Sequence, residues 1–338
     1  MLTKKDKKIK RPVVVLYDVD PSWTNEEQDE VRSLTTQISE ALRGEGHRTD
    51  KVEVRDQNIK DVVSPFSPTE HIVFNWCEQI PGIPKSEPLV AKELSTLGFT
   101  HTGADYEALN LAHYKLQMKS ALIANGVPTP VGQIFDKPDA SGWTRFPAIV
   151  KAANEHCSLG LSRDSVVMNK SELEARLKWF FRKYKQQALV EEFIDGREFH
   201  VSLWGNGTIE MLPPVEMSFA NLPDIHDRLC TYESKFVPGS MLYENIETVL
   251  PTIEGSESLP DLEKVCRKAY KAVGCRDYGR IDVRLKDGIY YVLDVNPNAD
   301  ISADASLAYA ASQVGYSYGQ TVSRIVQLAS KRLTAQAV

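Results

Sequence analysis

Two short runs near the C-terminus carry residues able to hold a divalent cation. Gly279-Arg280-Ile281-Asp282-Val283-Arg284-Leu285 and Tyr290-Tyr291-Val292-Leu293-Asp294-Val295-Asn296 each alternate apolar and polar side chains, and Asp287-Gly288 lies between them. Alternation around an Asp-Gly pair predicts an antiparallel hairpin. Side chains two apart on a strand share a face, so Asp282, Arg284, Asp294 and Asn296 have the parity to point the same way. Two carboxylates and an amide oxygen form a hard oxygen set suited to Mg²⁺ shared with phosphates. Arg280 falls on that face too, where a guanidinium can hold a developing negative charge. The same pattern also describes an edge hairpin with a solvated polar face.

Upstream stretches offer cations and close backbone approach. Phe146-Pro147-Ala148-Ile149-Val150-Lys151 reads as a strand ending in a lysine, followed by Ala152-Ala153-Asn154-Glu155-His156-Cys157-Ser158-Leu159-Gly160-Leu161. Small residues and a glycine there let backbone N–H groups approach phosphate oxygens, with Lys151 adding charge. It is not a Walker loop, because G-x-x-x-x-G-K-[ST] is absent. Ala188 to Leu203 reads strand, turn, strand, with Glu191-Glu192 bordering the turn and Glu198 able to accept hydrogen bonds from a ribose. Lys115 and Lys119, one turn apart on a helix read from Tyr106 to Asn125, suit a solvated face. Lys235 lies in a stretch from Ser218 to Glu247 with little periodicity, and so long a loop is usually functional or mobile.

The elements around these residues alternate. Pro12 to Tyr17, Lys51 to Val54 and His71 to Asn75 read as strands. A capping box at Thr24-Asn25-Glu26-Glu27 opens a helix that ends at Gly44, and Pro88 to Leu97 reads as another. Strands alternating with helices imply a parallel sheet with crossover helices over residues 12–106, without the G-x-G-x-x-G of a dinucleotide fingerprint. Asn75-Trp76-Cys77-Glu78 falls at a strand's C-terminal end, where such sheets place ligands, but a turn with a packed tryptophan is the more ordinary reading. Pro260 to Val273 and Ser317 to Leu333 read as helices in the C-terminal part, which mixes helices and hairpins as α+β.

Composition bounds the function. The chain has 338 residues, 42% hydrophobic and 25% charged, enough for a real core and two or three domains. A net charge of −6 gives no basic surface for nucleic acid, and no apolar run is long enough to span a bilayer. Residues 1–11 read as a basic solvated tail with no apolar signal region. Five cysteines without C-x-x-C spacing read as reduced thiols, which points to the cytoplasm.

Each stretch is ordinary alone, but their order resembles an ATP-grasp enzyme, specifically the D-alanine–D-alanine ligase-related group. The matching residues are Lys115 to Lys119, Gly126-Val127-Pro128-Thr129-Pro130, Val150-Lys151, Glu155 to Gly160, Val190 to Phe199, Leu212 to Glu216, Tyr232 to Phe236, Gly279 to Asp282 and Asp294-Val295-Asn296-Pro297. The resemblance runs from about Leu97 to Ile325. It implies a three-domain α/β fold: an N-terminal domain over 12–106, a small lobe over 107–190 and a catalytic lobe over 191–338, with ATP between the lobes. It implies that Lys119 and Lys151 hold ATP phosphates and adenine, and that Glu155, Ser158 and Gly160 belong to the loop closing over the triphosphate. Glu191, Glu192 and Ile194 would hold adenine, Glu198 ribose, and Lys235 a phosphate. Asp282, Asp294 and Asn296 would ligate two Mg²⁺ ions, with Mn²⁺ an acceptable stand-in, and Arg280 would steady a tetrahedral oxyanion with Lys235 and Ser158 beside it. Ser306-Leu307 resembles the pair that receives the second substrate's carboxylate. The implied reaction joins a carboxylate to an amine through an acyl phosphate. Relatives are often homodimers, which the sequence leaves open here.

The departures from that group concern the substrates. Its glycine-rich turn and glutamate after the first strand are replaced by Asp18-Val19-Asp20-Pro21-Ser22-Trp23. Its Glu-Gly-Ser-Ser phosphate loop reads Glu155-His156-Cys157-Ser158, and Phe236 stands where it carries a hydrogen-bonding tyrosine. One extra residue precedes Ser306, and Asp294, one methylene shorter, replaces its metal-bridging glutamate. The departures imply substrates other than two D-alanines.

Overall fold

The computed structural model describes residues 10–153, 160–253 and 257–335, without the side chains of residues 235, 236, 334 and 335. The chain opens with β1 (Val13–Asp18), α1 (Asn25–Gly44), β2 (Thr49–Val54), α2 (Ile59–Val63), β3 (Ile72–Trp76), α3 (Glu87–Thr96) and β4 (Thr100–His101). The strands form a parallel sheet in the order β2-β1-β3-β4. Every residue of β1 is buried, as a parallel strand covered on both faces requires. Thr24 and Glu27 exchange hydrogen bonds in the capping box that starts α1.

Next come α4 (Tyr106–His113), α5 (Lys115–Ala124), β5 (Gly132–Phe135), β6 (Ala148–Ala152), β7 (Val166–Val167), α6 (Lys170–Tyr184) and β8 (Ala188–Glu192). The single helix expected from Tyr106 to Asn125 is two, broken at Tyr114, whose backbone leaves the helical region (φ −100°, ψ 89°). The break re-aims α5 with no proline or glycine to announce it. The antiparallel sheet β5-β8-β6-β7 packs on α6 over its own core, which includes Phe135, Leu173, Leu177, Phe180 and Val190.

The remaining elements are β9 (Arg197–Trp204), β10 (Glu210–Met211), β11 (Val215–Ser218), α7 (Tyr232–Phe236), α8 (Met241–Asn245), β12 (Glu247–Val249), α9 (Leu259–Val273), β13 (Tyr278–Lys286), β14 (Ile289–Asn296), α10 (Ser306–Gln313) and α11 (Tyr318–Ala335). The stretch from Ser218 to Glu247 is thus not one long loop. Thr231 and Ser240 cap the two five-residue helices inside it. An antiparallel sheet runs β12-β11-β9-β13-β14, with β10 paired to β9. Helix α9 covers one face with Leu262, Cys266, Ala269, Tyr270 and Val273, all buried. It is capped by Ser258 and closed at Gly274, whose φ of 83° suits glycine. One apolar cluster joins Val13, Val15 and Phe74 of the parallel sheet to Trp204 and Tyr278 of the antiparallel sheet through α10 and α11. That shared core fixes where the parallel sheet's edge meets the polar face of β13 and β14.

Candidate active site

The hairpin supplies the centre of the site. Arg280 pairs with Asn296 and Asp282 with Asp294 across β13 and β14; the register then slips, so that Val283 pairs with Val292 and Leu293 is extra. Directly opposed residues share a face, so both acids point the same way, and the bulge just beyond them shifts the parity of β14 by one residue. On the other flank of β13, Asp282 lies opposite His200 and Arg284 opposite Glu198 of β9. Asp287 and Gly288, with φ of 51° and 74°, make the turn. Gly196 lets the chain enter β9 past β13, because a methyl there would overlap the Leu285 carbonyl.

Every acid on this face has a basic partner. Arg280 Nε and Nη2 donate to Asp282 at 2.6 and 3.0 Å, and Asn296 Nδ2 donates to Asp282 Oδ2 at 3.1 Å. Lys115 Nζ lies 3.0 Å from Asp294 Oδ2. Arg284 Nε lies 2.7 Å from Glu198 Oε2, and its other nitrogens reach the Ile194 and Arg228 carbonyls. Burial alone would raise the Glu198 carboxyl, but Arg284 and then His200 drive it well below the usual range. Glu198, His200 and Cys230 bring one donor atom each within 4.8 Å, a geometry open to a soft metal, but Arg284 already neutralises the carboxylate.

The small lobe adds a second cluster. Glu191, next to last in β8, receives Lys119 at 2.6 Å and Lys151 at 2.7 Å. Its carboxyl is buried, which would raise it, yet the two ammonium groups hold it at about 2. Gly132 on the neighbouring strand leaves the gap through which the Lys119 stem passes. Lys119 also donates to Thr129, whose hydroxyl donates to the Val292 carbonyl of β14. The expectation of a solvated face for Lys115 and Lys119 is therefore wrong. Lys119 is 3% exposed, because its charge is matched by Glu191 on a strand far along the chain.

The remaining expected positions fall as follows. Ile194 is buried and presents its carbonyl to Arg284, while Glu192 is half-buried, 3.6 Å from Arg145. Gly160 has a φ of 73° and offers its carbonyl to Arg176; any Cβ there would press on Tyr184. Ser306 opens α10, but Leu307 is fully buried in the core, which does not put it where a substrate would reach it. Glu155 and Ser158, with Cys157, lie outside the described residues, as does the Lys235 side chain on α7. Sequence reasoning gave no role to Lys115, His200 or Arg284. Lys115 stands inside the matched Lys115-Leu116-Gln117-Met118-Lys119 run, and that was the available signal.

Three sheets that bring lysines over an acidic hairpin define an ATP-grasp fold. The profile described as "D-ala D-ala ligase C-terminus" matches residues 135–327, and the chain belongs to that family and to the D-alanine–D-alanine ligase-related group. An uncharacterized protein, y4sG, of Sinorhizobium fredii is 32% identical over 311 residues, covering 88% of each chain. A D-alanine–D-alanine ligase of Carboxydothermus hydrogenoformans is 30% identical over 303 residues, covering 86% of this chain and 90% of that one. The crystal structure of D-alanine–D-alanine ligase from Bacillus anthracis complexed with ATP superposes with a TM-score of 0.72 at 17% identity, over 97% of this chain and all of the other. That likeness supports the fold. No helix among the described residues is long and apolar enough to cross a membrane.

Proposed function

We propose that this chain is an ADP-forming ligase that joins a carboxylic acid to an amine, with substrates other than two D-alanines. The observation that carries the reading is the shared face of Arg280, Asp282, Asp294 and Asn296, with Lys115 against Asp294 and Lys119 and Lys151 across from it. The donor set is two carboxylates and an amide with no thiol or imidazole, which fits Mg²⁺. Asp282, Asp294 and Asn296 would hold it, and when bound it would neutralise charge on the phosphates of ATP.

Lys119 and Lys151 exchange their Glu191 contacts for phosphate oxygens, and Glu191 remains between them as a counter-charge that keeps two buried ammonium groups close together. Lys115 does the same beside Asp294. The substrate carboxylate attacks the γ-phosphorus, the bond from that phosphorus to the β-phosphate oxygen breaks, and ADP leaves. The amine nitrogen then attacks the acyl carbon and loses a proton, and phosphate leaves as the amide forms. Arg280, within 3.0 Å of Asp282, balances the oxyanion of that step. Asp18 to Trp23 and Phe236 in place of the group's usual residues support a different substrate pair. Hydroxamate trapping with pooled acids tests the reading. A ligase releases phosphate together with an acyl hydroxamate, whereas a nucleotide-binding protein without turnover releases neither, and a phosphotransferase gives ADP without hydroxamate.

A further inference from the structure

Acidic side chains from three elements lie beside the site, at the carboxyl ends of β1 and β3, whose connections run to opposite sides. In the order β2-β1-β3-β4 the chain leaves β1 toward β2 on one side and enters β3 on the other. The crevice beyond the carboxyl ends of such strands is where open α/β sheets hold ligands. Asp18 ends β1, Asn75 lies in β3, Glu78 follows β3, and Glu87 begins α3, which packs on the same face through Val90 and Leu94. Asp18 Oδ1 accepts from the Glu78 backbone N–H at 2.9 Å. Glu87 accepts from Asn298 Nδ2 at 2.8 Å and lies 3.9 Å from His113 Nε2. The buried thiol of Cys77 is pushed up by burial first and then by the negative charges of Asp18, Glu87 and Glu78. Asp300 adds a further negative charge felt by Glu78 and by Arg280.

Two polar atoms are left over. Asp18 is 3% exposed and Asn75 4%, yet Asp18 Oδ2 and Asn75 Nδ2 have no hydrogen-bond partner among the described residues. Burying an unpaired carboxylate oxygen is costly, and a protein that needed only stability would not keep one. Burial, and then the negative charge of Glu78, leave the Asp18 carboxyl raised to about 7. Burial also raises Glu87 to about 8, with Glu78 and Asp18 adding to the effect against the Asn298 hydrogen bond. So raised, these carboxyls lean to the neutral form, and a bound ammonium would favour the charged one.

We propose that the acid accepted here carries at least two cationic nitrogens, as a diamino acid does, with its carboxylate toward Arg280 and its basic groups among Asp18, Glu78, Glu87 and Asp300. This deepens the ligase reading and rests on it. One ammonium needs one or two carboxylates; four acidic groups on this flank of the site suit a doubly charged chain. A small apolar amino acid would leave most of them unpaired.

Lysine and norleucine, in both enantiomers, are the discriminating pair, because they differ in the terminal ammonium. ADP release with a pooled amine, and calorimetric binding of each acid to the full chain with Mg²⁺ and a non-hydrolysable ATP analogue, are the two readouts. The proposal predicts that lysine exceeds norleucine about 10-fold or more in kcat/KM and in affinity. Asp18→Asn and Glu87→Gln should each cost lysine about 10- to 100-fold, in KM rather than kcat. Asp18→Asn should melt at or above the wild-type temperature, which a carboxylate kept for structure would not allow. Norleucine bound as tightly as lysine or more tightly, or norleucine equal to or better than lysine in an ADP release that some acid does support, overturns the proposal, as does a lysine preference that survives both variants. Lysine-selective binding without ADP from any acid supports the subsite and overturns the ligase reading instead.

Discussion

Glu191→Gln tests the electrostatic frame of the small lobe. The substitution keeps the side chain's shape and removes the charge that Lys119 and Lys151 share at 2.6 and 2.7 Å. A carboxyl held at about 2 rather than 4.5 is worth about 3 kcal/mol at neutral pH, at about 1.4 kcal/mol per pH unit. Breaking a buried pair from one side costs a comparable amount, about 3–5 kcal/mol, because the lysines are left unmatched. The nucleotide-free variant should therefore melt roughly 4–7 °C lower at pH 7. Because the carboxyl is depressed, its stabilisation is present above 4.5 and is lost as pH falls through about 2. The gap between wild type and variant should narrow steadily below about pH 5. Thermal unfolding monitored by circular dichroism across that range measures both. A gap under about 1 °C at pH 7, or one that widens on acidification, would refute the reasoning.

Other outcomes follow from the same geometry. Lys115→Ala removes the ammonium 3.0 Å from Asp294, and initial rates should show kcat/KM for ATP down about 10- to 100-fold. Gly196→Ala drives a methyl into the Leu285 carbonyl, so denaturant unfolding should show about 2 kcal/mol or more of lost stability. Arg284→Met leaves Glu198 buried beside His200 without its guanidinium, and stability at pH 7 should fall by about 3–5 kcal/mol, with partial recovery as acid protonates the carboxyl.

Local signals carried the hairpin and missed the partners. The period-2 alternation from Gly279 to Asn296 and the Asp287-Gly288 turn are properties of neighbouring residues, so the shared face of Asp282, Asp294 and Asn296 was legible in the sequence. The bulge at Leu293 was not, because nothing in the residue types marks it. Lys119 looked solvated because its partner Glu191 reaches it only once β5 and β8 pair. The kink at Tyr114 had no glycine or proline to betray it. Helices of five residues at Tyr232–Phe236 and Met241–Asn245 have caps at Thr231 and Ser240 but are too short to show an apolar stripe. The gathering of Asp18, Glu78 and Glu87 depends on the order of strands in a parallel sheet, which composition and periodicity do not encode.

Asp294→Asn bears most directly on the proposal that carboxyl, phosphate and Mg²⁺ meet at the hairpin. ADP release that depends on both acid and amine, measured beside nucleotide binding, should fall about 100-fold or more, with the nucleotide Kd changed by less than about 10-fold. Turnover by Asp294→Asn equal to that of the unaltered chain would contradict the account.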